Sequence, residues 1–473
     1  MKVSILTMGC DKNTVDSERY LAEMVDRGAT VAESAEDADV ILINTCGFID
    51  AAKKESIDAI VEAGRLKTKG SARAVVAVGC MVERHKGEME SALPEVDLFL
   101  GSSEMDRLIP ELADRGLIDD VPVTHPGVRL FSGDARHVRY LKVSEGCDHG
   151  CAFCAIPLMR GRHRSFTKDD IIREAQLLEA QGAREVNLVA QDLAHYGRDL
   201  RGQGEALQTL LESLVAETGV PWYRMLYIYS AGVTAKLLEF VAHESRVVPY
   251  FDMPMQHGSD EVLKRMRRPE RNKTIRETAA RIRDVVPDVA IRTTCIVGFP
   301  GETDADFETL LALLQDVQFD RVGAFTYSAQ QGTAAGEMGD DVPASLKQER
   351  MDRLMELQLL LTQERFEARV GKTVRAIVDR ELPDGSLEGR TIWQAPEIDG
   401  ITIIGKSIAE IGNLKSAIAP GAFLEVQIES VVDDYDLNAS LVRVECSAPP
   451  SGSRVTGHRS RQLPLASIGS FGR

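Results

Sequence analysis

Short apolar runs alternate with helical patterns along most of the chain, and this alternation limits the fold to a parallel α/β architecture. Three runs, VSILTM, ADVILINT and ARAVVAVG, lie within the first hundred residues, and six more lie between residues 138 and 327. An unbroken apolar run of this length is typical of a strand that is buried on both faces, as in a parallel sheet covered by helices. The sequence therefore predicts an N-terminal parallel α/β domain followed by a longer βα series.

A cysteine directly follows each of the first three runs. Cys10, Cys46 and Cys80 are 36 and 34 residues apart, which is about one βα unit each. Because the carboxyl ends of parallel strands share one edge, where ligands collect, we expect the three thiols to converge there. Buried structural cysteines at strand ends are the alternative interpretation.

A second cysteine group follows the first strand of the longer series, in the run CDHGCAFCAIP from Cys147 to Pro157. Its CxxxCxxC spacing is rare in a chain with only eight cysteines. Closed zinc sites and cubane iron-sulfur clusters held entirely by protein need four ligands, so three thiolates leave one metal position open to an exogenous ligand. A zinc site completed by His149 or His163 is the alternative.

The longer series contains six βα units, which favour an incomplete parallel barrel that is open on one side. Its strands are predicted at 138–143, 184–190, 223–229, 249–254, 289–298 and 320–327. A charged helix from Lys347 to Arg369 follows, and after Val370 short alternating runs with Gly and Pro turns predict a small antiparallel β-barrel. We divide the chain into an N-terminal domain (1–118), a polar linker (119–137), the central barrel (138–365), the C-terminal barrel (366–446) and a disordered tail (447–473).

The composition of the chain limits its cellular location and the kind of partner it can bind. The N-terminus does not read as a signal peptide, and no apolar run approaches the roughly 18 residues of a membrane span. We therefore expect a cytoplasmic protein without membrane association, whose clustered thiols hold metal rather than form disulfides. The net charge of −17 disfavours general binding of nucleic acid and favours a basic partner, because phosphate contacts dominate nucleic-acid affinity.

The motifs together resemble one enzyme family. CDHGCAFCAIP after the first barrel strand is similar to the cluster-binding loop of the radical S-adenosylmethionine (SAM) enzymes, and the three cysteines of the preceding domain resemble those of the methylthiotransferases in that superfamily. The strings MGCDKNTVDSE, NTCGFI, DMPMQHGS and GFPGET are most similar to the branch that modifies ribosomal protein uS12. The similarity extends from residue 1 to about residue 440.

This resemblance implies a radical SAM methylthiotransferase with two [4Fe-4S] clusters, SAM, and a C-terminal TRAM domain, which is an OB-like barrel. Cys147, Cys151 and Cys154 would hold the cluster that binds SAM, and one electron from it would cleave SAM to a deoxyadenosyl radical. Cys10, Cys46 and Cys80 would hold a second cluster that carries the sulfur to be transferred. The methylthio group would be added to the β-carbon of an aspartate in uS12, free or on the small ribosomal subunit. Two SAM molecules would be used per turnover, and a flavodoxin or ferredoxin would supply the electron.

Further candidate cofactor residues lie at the ends of other barrel strands. The turn GFPGE would bring Gly298, Gly301 and Glu302 close to the adenine of SAM, or it is a plain strand-to-helix turn. Gln191 and Asp192 are candidates for contact with the methionyl or ribose part of SAM. The family usually has a threonine after this aspartate, whereas this chain has LA, so a hydroxyl contact there is in doubt.

Three more features have two interpretations each. Gln256 is a candidate ribose partner or a capping residue. The basic loop RGRHRS, starting at Arg160, is either a contact to the SAM carboxylate or substrate, or a solvated loop. Cys295, alone in mid-strand, is predicted to be a core residue.

Two other functions compete with this one. A tRNA adenosine methylthiotransferase shares both clusters, but its C-terminal barrel should be basic. Residues 366–446 contain 8 lysines and arginines against 14 aspartates and glutamates, a net charge of −6, which repels phosphate and attracts a basic protein. Asp433, Asp434 and Asp436 are the predicted docking edge, or a solvated loop. A non-catalytic iron-sulfur carrier is disfavoured because it needs no SAM barrel.

Overall fold

The computed structural model describes residues 1–70, 72–119, 121–122, 127–131, 135–200, 206–405 and 418–446. The tail predicted at 447–473 lies outside the described residues, as do residues 120, 123–126 and 132–134 of the predicted linker. None of the helices in the described part is long and apolar enough to cross a membrane.

The N-terminal domain is a parallel sheet of five strands in the order β2-β1-β3-β4-β5. Its strands are β1 (Lys2–Thr7), β2 (Thr30–Val31), β3 (Val40–Thr45), β4 (Ala74–Gly79) and β5 (Leu98–Gly101), and its helices are α1 (Asp11–Asp26), α2 (Asp50–Thr68), α3 (Cys80–Ala92) and α4 (Leu108–Asp114). Every residue of β3 and β4 is buried, because separate apolar clusters cover the two faces of the sheet. The predicted parallel α/β domain is confirmed.

The central domain is a parallel sheet of six strands that pair in chain order, β6-β9-β10-β11-β12-β13. The six strands of this sheet are β6 (Val138–Lys142), β9 (Glu185–Val189), β10 (Trp222–Met225), β11 (Val247–Asp252), β12 (Ala290–Val297) and β13 (Arg321–Thr326). The domain also contains the short strands β7 (Ser144–Glu145) and β8 (Arg164–Ser165). The helices are α5 (Ile156–Arg160), α6 (Lys168–Ala180), α7 (Leu207–Glu217), α8 (Ala235–His243), α9 (Asp260–Arg265), α10 (Asn272–Val285) and α11 (Asp304–Val317). In the described part β6 and β13 each pair with one neighbour in this sheet, so the predicted incomplete barrel is confirmed. The antiparallel pair β7–β8 flanks the loop with the CxxxCxxC run.

The helix α12 (Ala344–Glu367) packs along β13 and leads into a small closed barrel, β14-β15-β16-β18-β17. Its strands are β14 (Thr373–Glu381), β15 (Leu387–Thr391), β16 (Thr402–Gly405), β17 (Phe423–Val432) and β18 (Asp436–Cys446). Four of its neighbouring pairs are antiparallel, as predicted, but β16 and β18 are parallel. A closed barrel with an odd number of strands cannot alternate direction throughout, so one pair has to be parallel.

The C-terminal barrel shares a core with the central sheet. Trp222 of β10 and Phe423 of β17 meet edge to face, with ring centroids 5.0 Å apart. Beside them, the buried carboxylate of Glu185 accepts from Arg224 Nε at 2.9 Å and pairs with Arg390 Nη1 at 2.7 Å. Arg390 also contacts Asp379, with its Nε 2.8 Å from Oδ2. A mixed apolar and ionic interface therefore attaches the C-terminal barrel to the central domain.

Candidate active site between the two cysteine groups

Each N-terminal cysteine lies between the end of a buried strand and the start of a helix. Cys10 is the N-cap residue of α1, Cys46 follows β3, and Cys80 is the first residue of α3. Gly9 lies against Cys46, since a Cβ added to it would be 2.7 Å from Cys46 Sγ, and a Cβ on Gly47 would be 3.2 Å from the carbonyl oxygen of Cys80. The structure thus gathers the three residues at one edge of the sheet.

Burial raises the pKa of two of the N-terminal thiols, those of Cys46 and Cys80. The pKa of Cys80 is raised to about 12 although the Arg160 guanidinium opposes this. A thiol with so high a pKa stays protonated near neutral pH unless a metal replaces the proton. The N-termini of α1 and α3 point their partial positive charge at Cys10 and Cys80, which favours an anionic group there. The donor set therefore fits a bound metal cluster.

The second group, on the loop after β7, is half-buried. Burial raises the pKa of Cys147 to about 11 and that of Cys154 to about 12. The backbone N–H of His149 donates to Cys147 Sγ at 3.4 Å. The hydroxyl of Tyr229 lies 2.9 Å from Cys151 Sγ. These sulfurs therefore already have hydrogen-bond donors that would stabilise thiolates.

Arg268 completes the surroundings of Cys151. Its Nη1 is 3.7 Å from Cys151 Sγ, and its guanidinium lies over the ring of Tyr229, 3.8 Å from the centroid. Neither Tyr229 nor Arg268 was identified from the sequence. Tyr229 comes just after the third barrel strand and Arg268 in the segment after α9, and no spacing relates either of them to the cysteines.

The spacing of the thiols argues against the zinc alternative. Among the described residues, the only three potential ligand atoms that all lie within 4.8 Å of one another belong to His149, Asp192 and His195. Three thiolates on one zinc ion, with bonds of about 2.3 Å, would lie roughly 3.8 Å apart. His163 is also occupied, with its Nε2 3.1 Å from the hydroxyl of Ser165. Both cysteine groups are therefore spaced more widely than a single zinc ion requires.

Asp192 and Gln191, at the end of β9, differ in their surroundings. The carboxylate of Asp192 accepts the backbone N–H groups of Ala194 and Tyr229, at 2.9 and 3.2 Å, and lies 2.8 Å from His149 Nε2. Gln191 Oε1 is buried and has no hydrogen-bond partner in the described part of the chain. Asp192 thus holds the cluster loop through His149, and Gln191 keeps an acceptor for a ligand. The contacts with SAM expected for both residues stay predictions.

The turn GFPGE is held by its own glutamate. Gly298 and Gly301 have φ of +71° and +74°, a conformation that favours glycine. Glu302 Oε2 accepts the N–H of Gly298 at 2.8 Å, and Oε1 accepts from Arg350 Nη1 at 2.8 Å. Because both oxygens of the buried carboxylate are engaged within the protein, Glu302 shapes the turn, and its contact with SAM stays a prediction. The backbone of the turn remains the part that can approach a ligand.

Gln256 has a strained backbone. Its φ is +74°, unusual for a residue with a side chain, and its N–H and carbonyl pair with Thr294 and Ile296 of β12 at 2.8 Å each. Strain of this kind is concentrated at functional sites. Cys295, between those two partners, is fully buried, as expected for a core residue.

The N-terminal domain covers the mouth of the incomplete barrel. The ammonium group of Lys12 lies 3.4 Å from the centroid of the Tyr227 ring, beyond β10. On the far side, Arg84 donates to Gln330 Oε1 at 3.0 Å, and Ser328 donates to Asp50 Oδ2 at 3.0 Å, both in the segment after β13. Cys80 packs against Ala155 and Met159, which follow the CxxxCxxC run. The two cysteine groups therefore lie at one domain interface.

The loop RGRHRS is divided between the interior and the surface. Arg160 is buried in the domain interface, so the solvated interpretation is wrong for this residue, and the contact to SAM or substrate stays a prediction. Arg162 and Arg164 are exposed, as the solvated interpretation predicts.

Three family models match the chain. Residues 2–101 match "Uncharacterized protein family UPF0004", residues 141–314 match the "Radical SAM superfamily" and residues 370–442 match the "TRAM domain". The chain is similar to the ribosomal protein uS12 methylthiotransferase RimO of Anaeromyxobacter sp. (strain K), with 41% identity covering 98% of this chain and 96% of the relative. It is 39% identical to RimO of Aquifex aeolicus (strain VF5), covering 92% and 96%.

Among solved structures, the fold is similar to that of the radical S-adenosylmethionine methyltransferase TsrM from Kitasatospora setae, solved with cobalamin and a [4Fe-4S] cluster. The TM-score is 0.52 at 12% identity, covering 71% of this chain and 77% of the other. At this identity the similarity concerns the fold alone.

Proposed function

The chain belongs to the family of ribosomal protein uS12 methylthiotransferases, RimO, and from this premise we propose that it adds a methylthio group to the β-carbon of an aspartate in uS12. As a radical SAM methylthiotransferase it uses an iron-sulfur cluster and SAM. The observation that carries the proposal is the pair of cysteine groups, which lie at the interface between the N-terminal domain and the barrel mouth, with Cys80 packed against Ala155 and Met159.

Each cysteine group holds one [4Fe-4S] cluster in this proposal. Cys147, Cys151 and Cys154 hold the cluster that binds SAM, and Cys10, Cys46 and Cys80 hold the cluster that carries sulfur. When bound, these groups and SAM supply the electron and the radical chemistry that an unactivated C–H bond requires. The count of three thiols in each group supports an open metal position at each cluster.

The remaining residues of the site bind SAM and orient the reacting groups. Gln191, with its unpartnered oxygen, the backbone of Gly298 and Gly301, and Gln256 with its strained backbone are the proposed SAM contacts. The hydroxyl of Tyr229 orients Cys151, and the overlying N-terminal domain limits access of water to the space where the reacting groups meet. Two SAM molecules are used per turnover, a flavodoxin or ferredoxin supplies the electron, and the reaction takes place in the cytoplasm.

Mass spectrometry of uS12 and of bulk tRNA from cells with and without the gene tests the proposal. We expect uS12 to carry the mass of one added methylthio group on an aspartate only when the gene is present. The tRNA should be the same in both strains, because the C-terminal barrel is acidic. A methylthio group on tRNA with unmodified uS12 would instead identify a tRNA enzyme.

A groove between α12 and the C-terminal barrel supports a basic protein as the substrate. The groove has a volume of about 620 Å³, and four carboxylates line it. Asp399 is buried and paired with Arg292 and Arg321, which also line the groove, whereas Asp352, Glu356 and Asp434 are exposed. Exposed apolar side chains lie among them, namely Met355, Ile398 and Tyr435. Acidic and apolar groups side by side suit a peptide segment with basic side chains on aliphatic stems.

The docking edge predicted from the sequence, Asp433, Asp434 and Asp436, is revised because one of its members has a structural role. Asp433 and Asp434 are exposed, but Asp436 Oδ1 accepts the N–H of Ile401 at 2.7 Å and is part of the barrel structure. Reversing Asp436 would therefore damage the barrel itself. The residues on α12 that face the groove are better targets.

Reversing Asp352, Glu356 and Asp434 to lysine is expected to weaken uS12 binding and to make the remaining binding less dependent on salt, because exposed charges act through long-range attraction. Each reversal should cost on the order of 1 kcal/mol or less. Titration of uS12 at two ionic strengths measures the effect. A matched control reverses Asp58, Glu88 and Glu90, which are exposed on the N-terminal domain. Equal losses in both variants would remove the groove as the docking surface.

A further inference from the structure

Arg160 reaches from the radical SAM loop to the N-terminal cysteines. It is the last residue of α5, the short helix that follows Cys154, and only 6% of its side chain is exposed. Its Nε donates to Cys80 Sγ at 3.0 Å. Its Nη1 donates to Asp16 Oδ2 at 2.7 Å, and its Nη2 donates to Asn13. One guanidinium thus connects one cysteine group to the residues around the other.

The ion pairs around Arg160 are balanced without the sulfur. Arg160 Nη1 is also 3.2 Å from Glu145 Oε2, and the ammonium of Lys142 contacts both Glu145, at 2.6 Å, and Asp16. Two cations therefore face two carboxylates. A thiolate at Cys80 adds a negative charge that is stabilised by the Nε–H, the one guanidinium nitrogen not engaged by a carboxylate or amide.

The direction of this donor is fixed by packing. The hydroxyl of Ser102 donates to the carbonyl of Met159, and Met159 and Ala155 pack against Cys80. The helix α5 is therefore attached to the N-terminal domain on both sides of the guanidinium. A purely structural ion pair would use only the Nη atoms of Arg160, whereas here its third nitrogen, Nε, also points at the sulfur of Cys80.

We propose that Arg160 is a positioning residue that stabilises the reduced, more negative form of the iron-sulfur cluster which Cys80 helps to hold. The inference rests on the proposed function, since it requires the N-terminal cluster. A hydrogen bond to a ligating sulfur, together with a buried positive charge, raises the reduction potential of such a cluster.

The test uses the full chain with Cys147, Cys151 and Cys154 replaced by alanine, so that only the N-terminal cluster contributes a signal. Its reduction is followed by electron paramagnetic resonance during a redox titration. Arg160→Gln removes the charge and the donor, and we expect it to lower the ratio of reduced to oxidised cluster at a fixed potential at least tenfold, which corresponds to about 59 mV for one electron. Arg160→Lys keeps the charge and loses the Nε donor, so the shift should have the same direction and be smaller. Arg173→Gln, on an exposed side chain of α6, is the control and should cause no shift.

Iron content distinguishes a failure of the inference about Arg160 from a failure of the proposed function. Lower potentials in both Arg160 variants at full iron content support the inference. Full iron content with an unchanged potential in Arg160→Lys and Arg160→Gln overturns it and leaves the proposed function intact. If the parent protein with intact Arg160 binds no iron, the second cluster itself is wrong, and the inference falls with it. Should Arg160→Gln alone lose iron, the double variant with Asp16→Asn restores the charge balance and is compared with Asp16→Asn alone, and equal potentials in these two variants also overturn the inference.

Discussion

Replacing Cys147, Cys151 and Cys154 with alanine is expected to abolish SAM cleavage completely, whereas replacing Cys10, Cys46 and Cys80 should leave cleavage in place and abolish methylthio transfer. The reason is that SAM is proposed to bind only the open metal position at Cys147, Cys151 and Cys154, while sulfur is delivered from the cluster at Cys10, Cys46 and Cys80. Chromatography of deoxyadenosine and methionine measures cleavage, and mass spectrometry of uS12 measures transfer. Iron content should fall to roughly half in either variant if each group holds its own cubane.

Cys295→Ala provides the control for this experiment. Cys295 is fully buried in β12, and burial raises the pKa of its thiol, so it is a core residue without metal or redox chemistry. Both reactions should survive its replacement. Normal methylthio transfer by the N-terminal triple variant would remove the claim of a second cluster.

Replacing Arg390 with methionine is expected to lower the free energy of unfolding by about 3–5 kcal/mol, as is usual when one partner of a buried ion pair is removed. Glu185 is fully buried and would keep only Arg224, and Asp379 would lose its bidentate partner. Thermal and denaturant unfolding measure the change. Arg380→Met is the matched control on the neighbouring strand β14, because the Arg380 side chain is exposed and its ion pair with Glu388 should contribute about 1 kcal/mol or less. Equal destabilisation by both variants would contradict the buried network.

The same network gives the interface a dependence on pH. Burial alone would raise the pKa of Asp379, but Arg390 and His137 hold it at about 2. A carboxyl whose pKa is depressed in the folded state stabilises fully above its unfolded value, near 3.9, and that stabilisation is lost as the pH falls from there towards 2. As the pH falls through this window, the free energy of unfolding of Arg390→Met should therefore decrease less than that of the wild-type protein.

Local patterns in the sequence predicted the sheets and the cysteine groups. The six barrel strands are apolar runs whose length and boundaries are local properties, and Cys10, Cys46 and Cys80 follow strands whose ends must share an edge. The parallel pair β16–β18 was missed because it follows from barrel closure and not from the pattern of any one strand.

Contacts between distant segments account for the other differences. Asp192 and Glu302 are predicted SAM contacts, and the sequence does not record that partners from other elements, such as Arg350 of α12, also engage their carboxylates. Arg160 looks like a surface residue within RGRHRS, and only the packing of α5 against α3 buries it. Tyr229 and Arg268 reach Cys151 through the curvature of the barrel, which no spacing in the sequence records.

The contacts of the N-terminal domain with both margins of the barrel mouth limit the shape of the substrate. They lie near β6, through Lys142 and Arg160, and beyond β13, through Ser328 and Gln330. Swinging the domain away would break buried ion pairs, so we expect the target side chain to enter between domains that stay together. A flat protein face cannot do this, whereas the tip of a protruding loop can. The enzyme is thus expected to choose its target by protrusion as well as by charge, and to ignore aspartates on the flat parts of the same protein.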